Sequence, residues 1–172
     1  RTYDLSTFFE NYEELNKDPL KPLYNRALLA TYPPGSTYKM SMVVAAMDAK
    51  LINSETIIYD EGIFDDFEES GFTAECLQYT KDGTTHGQVN AVRALEVSCN
   101  YFFYDLGSRI HISYMDNTAK GFGLGEPTGV ELPEVIGHRS NPESKAEAYK
   151  DNLDAQWFVG DRILTAIGQS EN

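Results

Sequence analysis

Cysteine is nearly absent from this 172-residue chain, with only Cys76 and Cys99. Two are too few for a disulfide scaffold, and by count too few for a zinc site. One bridge could form in an oxidising compartment. Positive charge is also scarce: 14 Lys and Arg stand against 27 Asp and Glu, a net charge of −13. A surface that acidic repels phosphate backbones and anionic headgroups, which excludes nucleic acid as a partner. No long hydrophobic run is present. The longest, residues 40–47, is far short of the ~20 residues a membrane span needs. Five glycines punctuate residues 121–137, yet no G-x-G-x-x-G follows a strand, so no nucleotide loop is read there. There is no signal peptide, and the chain opens on Arg1 instead of Met, which reads as a cut or processed piece of a longer protein.

What is present is an ordinary globular composition, 41% hydrophobic, at the size of one domain, residues 1–172. Helix dominates the pattern. Short helices are expected over residues 5–14 and 24–30. Pro33-Pro34-Gly35 stops the chain, and a helix restarts with Ser36 and Thr37 as caps, running to about Lys50. Its middle (Met40, Met42 to Met47) is apolar on every face, which predicts a helix buried all round. Residues 53–88 read as irregular, with strand-like pieces at 56–59 and 75–79. Their acidic cluster (Asp60, Glu61, Asp65, Asp66, Glu68, Glu69) reads as a solvated loop, since calcium-loop spacing is lacking. Further helices are expected over 90–97, 101–109, 113–120, 142–149 and 161–167. Trp157 and Phe158 are expected to pack in the core or against a neighbouring lobe. His86 is expected to serve a turn, and Cys99 to be a small buried filler.

Two constellations carry chemistry. Ser36 and Lys39 lie at i and i+3 on one helix face, so hydroxyl and amine can meet. A buried lysine loses its proton more readily and can serve as the base a serine nucleophile needs. The helix N-terminus adds positive potential where an oxyanion forms. A capping serine beside a surface lysine is the competing reading. The second constellation is Ser98-Cys99-Asn100, between two helices. Ser98 can relay a proton and Asn100 can hydrogen-bond a substrate amide, or Asn100 can simply cap the next helix.

Taken together in order, these stretches resemble the transpeptidase domain of penicillin-binding proteins, of the class B (monofunctional) type. The matching segments are Asn25-Arg26-Ala27 and residues 32–39 (YPPGSTYK), His86-Gly87 with Ala94-Leu95 before Ser98-Cys99-Asn100, Phe122 to Glu126 with Thr128-Gly129 and Leu132-Pro133, and Ile167-Gly168-Gln169. The resemblance implies Ser36 as acylated nucleophile, Lys39 as its base, Ser98 as proton shuttle and Asn100 as substrate-orienting residue. It implies acyl transfer from D-Ala-D-Ala stem peptides of peptidoglycan, covalent capture of β-lactams, and no metal or organic cofactor. It further implies a membrane-anchored parent on the extracytoplasmic face of a bacterial membrane, with cell-division or elongation proteins as partners.

The third motif of that family, K-T-G, occurs nowhere in the 172 residues. The expectation is therefore a mainly α piece: the helical lobe of the β-lactamase/transpeptidase-like α+β fold, with the antiparallel sheet largely missing from both ends. The absent sheet portion would be a partner in its own domain. Without it, Lys39 is expected to be better solvated and a poorer base, an apolar helical face to be uncovered, and β-lactam binding to be poor or nil. The alternatives are a serine β-lactamase or β-lactam sensor on the same fold, or a non-catalytic interaction module.

Overall fold

The computed structural model describes residues 5–150 and 153–170. The chain divides into two compact units, residues 1–32 with 127–136, and residues 33–126 with 137–172.

In the first unit a 3-10 turn, Leu5–Thr7, leads into α1 (Phe8–Lys17), and α2 (Arg26–Leu29) follows. The Val135 amide donates to the Leu28 carbonyl at 2.8 Å, which joins the two stretches of this unit. None of its described residues is buried, so it has no core of its own there.

The second unit holds the core. Gly35–Tyr38 is a 3-10 helix that runs directly into α3 (Lys39–Asp48). The expected serine and threonine caps are not used: the Thr37 hydroxyl donates back to the Pro34 carbonyl at 2.8 Å, and no side-chain bond caps α3. Nor is α3 buried all round. Met42, Ala45 and Ala46 are buried, but Met40, Val44 and Met47, at i, i+4 and i+7, form an exposed stripe.

Residues 53–88 are more regular than expected. Strand β1 (Ile58–Asp60) is followed by β2 (Ile63–Phe67), β3 (Phe72–Glu75), α4 (Leu77–Asp82) and β4 (Gly87–Val89). β1 pairs antiparallel with β4, Tyr59 opposite Gln88. β2 pairs with β3, Phe64 opposite Ala74, with a register shift before Phe67. The predicted strand over 75–79 is thus a strand end and a helix start. Gly83, at φ 73°, ends α4 in the left-handed region that glycine tolerates. Of the six acidic residues, five are solvated as expected, whereas Asp60 is fully buried.

Five further α-helices follow among the described residues: α5 (Ala91–Glu96), α6 (Asn100–Arg109), α7 (Ile112–Gly121), α8 (Pro142–Ala148) and α9 (Val159–Thr165). Local signals set several starts. Asn90 accepts from the Arg93 amide and caps α5, and Asn141 with Ser144 forms a capping box ahead of Pro142. Phe102, Phe103 and Leu106 of α6, Met115 and Ala119 of α7 and Ile163 of α9 are almost fully buried around α3 and α6. Gly107 permits the α6–α9 approach: a Cβ there would lie 2.9 Å from the Ala166 Cβ and 3.0 Å from the Ile163 Cα. Trp157 is half-buried, but Phe158 is exposed rather than core, with the Lys145 ammonium 5.7 Å over its ring. The described ladders are two-stranded only, and the architecture is the mainly α lobe that was expected. Among the described residues no helix is long and apolar enough to cross a membrane.

Candidate active site

The nucleophile candidate is set by a backbone clamp. Gly35 stands at φ 55° and donates its amide to the Gly168 carbonyl at 2.9 Å. Gly168, at φ 69°, passes so close that a Cβ would lie 2.3 Å from the Gly35 carbonyl oxygen. That approach requires glycine at 168, Gly35 takes a left-handed φ that glycine tolerates, and Ser36 follows immediately.

One turn on, Lys39 is 1% exposed. Its amine donates to three oxygens: the Ser98 carbonyl at 3.0 Å, Ser98 Oγ at 3.0 Å and Asn100 Oδ1 at 2.6 Å. It also stands 5.2 Å over the Phe103 ring. The Ser98 hydroxyl donates in turn to Ser36 Oγ at 2.9 Å. Ser36, Lys39, Ser98 and Asn100 therefore lie together. The link between Ser36 and Lys39 runs through Ser98, however, and not directly as the i, i+3 spacing had predicted. The 3-10 turn and the three distant acceptors draw the amine sideways.

Burial lowers the Lys39 ammonium to about 8. Better solvation of this lysine was expected in a lobe without the sheet. Instead α3, α6 and the Ser98 turn desolvate it by themselves. Ser98 has φ 54°, a left-handed conformation that costs about 1–2 kcal/mol for a residue with a Cβ. Asn100 is the first residue of α6 and does not cap it; Cys99 stands at the cap position, and its side chain makes no capping bond to the helix.

A second cluster adjoins this one at Cys99. One donor atom each from Asp60, Cys76, His86 and Cys99 lies within 4.8 Å of the others. His86 Nδ1 is 2.7 Å from Asp60 Oδ2 and 3.7 Å from Cys76 Sγ, and the Cys99 thiol donates to Asp60 Oδ2 at 3.4 Å. Burial opposes the Asp60 charge, but hydrogen bonds from the His86 and Gly62 amides prevail and hold its carboxyl below the ordinary value. Hydrogen bonding with Cys76, then burial, pushes the Cys99 thiol up. These are the residues that could hold a metal, since one carboxylate, one imidazole and two thiolates make a tetrahedral zinc donor set. Counting cysteines missed it, because Asp60 and His86 complete the set. His86 is accordingly more than a turn residue. The signal available in the sequence was His86 and Cys99 framing the same helix as the S-x-N segment.

S-x-x-K and S-x-N segments meeting on a mainly helical lobe define the penicillin-binding class of serine acyl-transferring proteins and their β-lactamase relatives. Residues 1–163 match the family model of the penicillin binding protein transpeptidase domain, and the chain belongs to that family. The peptidoglycan D,D-transpeptidase MrdA of Acinetobacter baumannii is 35% identical over 161 residues, 93% of this chain and 23% of that protein. PBP2 of Pseudomonas aeruginosa, solved in complex with WCK 5153, matches with a TM-score of 0.82 at 26% identity, over 98% of this chain and 38% of that one. PBP2 of Helicobacter pylori, solved in complex with MreC, matches with a TM-score of 0.80 at 30% identity, over 94% and 28%. The chain spans about a quarter of the length of the curated relatives it matches. These likenesses favour the transpeptidase reading over a β-lactamase, a sensor or an interaction module.

Proposed function

We propose that residues 1–172 are the nucleophile-bearing part of a transpeptidase domain in a peptidoglycan D,D-transpeptidase, acting on the extracytoplasmic face of a bacterial membrane. Ser36 is the nucleophile. Neutral Lys39 is the base, and Ser98 carries the proton between them. Ser36 Oγ bonds to the penultimate carbonyl carbon of a D-Ala-D-Ala stem peptide as its proton passes to Ser98 Oγ and the Ser98 proton passes to Lys39 Nζ. The tetrahedral adduct breaks its C–N bond, and the leaving D-Ala amine takes the proton back through Ser98. The acyl group then passes to an amine of a neighbouring stem. A β-lactam enters the same first step and stays attached. Asn100 Oδ1 anchors Lys39, and its amide nitrogen orients the substrate amide.

The observation that carries this reading is the unbroken Ser36–Ser98–Lys39 hydrogen-bond chain ending in a buried amine. The MreC complex of the Helicobacter pylori relative supports elongation proteins as partners. The sheet portion with the K-T-G motif is the other partner, because it supplies half the oxyanion hole and the substrate-carboxylate contact.

Fluorescent penicillin tests the assignment. A protein carrying this lobe together with a K-T-G strand should be labelled at Ser36, and Ser36→Ala should abolish the label. A label mapping to another residue contradicts the reading. The 172-residue chain alone should label poorly, since loss of one oxyanion donor costs roughly 10² to 10³ in rate.

A further inference from the structure

The charged form of Lys39 is buried without a counter-ion. The residue is 1% exposed, and its three N–H donors are spent on the neutral oxygens of Ser98 and Asn100. Among the described residues none of its hydrogen-bond partners is a carboxylate. Burial favours the neutral amine. One neighbour works in the opposite sense: the Phe103 ring, whose centroid lies 5.2 Å from Nζ. The negative face of an aromatic ring attracts an ammonium within about 6 Å, and the attraction is strongest where water is excluded. It leaves a neutral amine almost untouched.

The sequence of α6 brings the ring there. Asn100 and Phe103 stand at i and i+3, so one helix face offers Lys39 both an acceptor oxygen and an aromatic face. The ring is not free to turn away. Phe103 is fully buried, and the Phe102 ring crosses it edge-on at 5.3 Å and 69°. The helix behind it is tied down as well. The Tyr104 hydroxyl donates to the Glu75 carbonyl at 3.3 Å, and the Arg162 guanidinium donates to the Gly107 and Ser108 carbonyls at 2.8 and 2.7 Å.

In the acyl transfer proposed above, Lys39 begins neutral and gains its proton through Ser98 as Ser36 attacks. Positive charge therefore grows on Nζ during the step. A ring already facing that atom stabilises the growing charge with no rearrangement at the moment of reaction. We propose that Phe103 is a positioning residue of this reaction, its ring face stabilising the ammonium that Lys39 becomes as Ser36 is acylated. No proton or bond passes through Phe103. The catalytic half rests on the acyl-transfer reading; the attraction between ring and amine does not.

Other charges nearby are accounted for. On the helices packed against α3, Arg93 pairs with Glu96, Asp105 with Arg109 and Asp116 with Arg139. The titratable groups that act on the amine are the Cys99 and Cys76 thiols, which favour its charged form.

The test keeps the shape of residue 103 and changes its quadrupole. Phe103 is replaced by monofluorophenylalanine and by trifluorophenylalanine, since fluorine drains the negative face at nearly constant volume. The Lys39 side chain is titrated by NMR in the 172-residue chain. Its midpoint should fall by at least about half a unit with three fluorines and by less with one. The second measurement uses a protein that also carries the K-T-G strand, with Ser36 labelling by fluorescent penicillin followed against pH. There the rising limb should move down with the midpoint. The rate on the high-pH plateau should drop about two- to fivefold with three fluorines, because a weaker base takes the proton less readily. An unchanged midpoint overturns the proposal. So does a midpoint that climbs toward 10.5, the behaviour of a ring that only keeps water out. A lowered midpoint with an unaltered plateau overturns it too, because the ring then has no part in acylation. Wild-type labelling away from Ser36 would sink the function reading alone and leave the midpoint result standing.

Discussion

Lys39 donates from one buried amine to two atoms of the same residue, the hydroxyl and the carbonyl oxygen of Ser98, each at 3.0 Å. A single residue thus fixes the amine and passes its influence on to Ser36, 2.9 Å further along. Left-handed backbone at Ser98 makes this double grip possible, since it turns carbonyl and hydroxyl toward the same amine.

Ser98 therefore has two separable properties, a strained backbone and a hydroxyl. Ser98→Gly and Ser98→Ala both remove the hydroxyl. Each should slow acylation of Ser36 about 10²–10³-fold in a protein that includes the K-T-G strand, as loss of a positioned proton carrier does. Only Ser98→Gly relieves the strain, so it should be more stable than Ser98→Ala by about 1 kcal/mol in urea unfolding. Equal stabilities would show that the φ of 54° carries no strain.

Lys39 should leave a mark on stability against pH. Its value is about 8 when folded and 10.5 ordinarily. Between these values the unfolded chain binds more protons, so stability rises with pH and the contribution is lost as pH falls toward 8. The gain is at most about 3 kcal/mol over that window. Tyr38, Tyr101 and Tyr104, each raised to about 12, act in the opposite sense above pH 10. Denaturant midpoints between pH 8 and 10 should therefore climb for the wild type and stay flatter for Lys39→Met.

The glycine clamp predicts an asymmetry between its members. A Cβ at Gly168 would meet the Gly35 carbonyl oxygen at 2.3 Å, whereas a Cβ at Gly35 meets nothing within 4 Å. Gly168→Ala should cost about 2–4 kcal/mol, combining φ strain with a backbone clash, and should displace Ser36. Gly35→Ala should cost only about 1–2 kcal/mol. Thermal unfolding of the two variants checks the order.

How much of this was legible beforehand depends on distance along the chain. The starts of α5 and α8 were readable because Asn90 and Asn141 cap them from within three residues. Leu77 to Tyr79 favour strand by composition, yet the left-handed Gly83 and the extended Cys76 bracket a helix. The burial of Lys39 was read as depending on an absent sheet, because its acceptors lie 59 and 61 residues away and sequence spacing says nothing of them. The same holds for Asp60, read as one of six solvated acids until His86 and Cys99 were found against it. The S-x-x-K and S-x-N segments were legible as chemistry, while the route between them, through Ser98 Oγ, was not.

The most direct measurement is an NMR titration of the Lys39 side chain in the 172-residue chain, using isotope-labelled lysine and Lys39→Met for assignment. A midpoint within about a unit of 8 is predicted, leaving about a tenth of the amines neutral at pH 7 and ready to receive the relayed proton. A midpoint at the ordinary 10.5 would contradict the account, because an amine that holds its proton so firmly cannot serve Ser36 as a base.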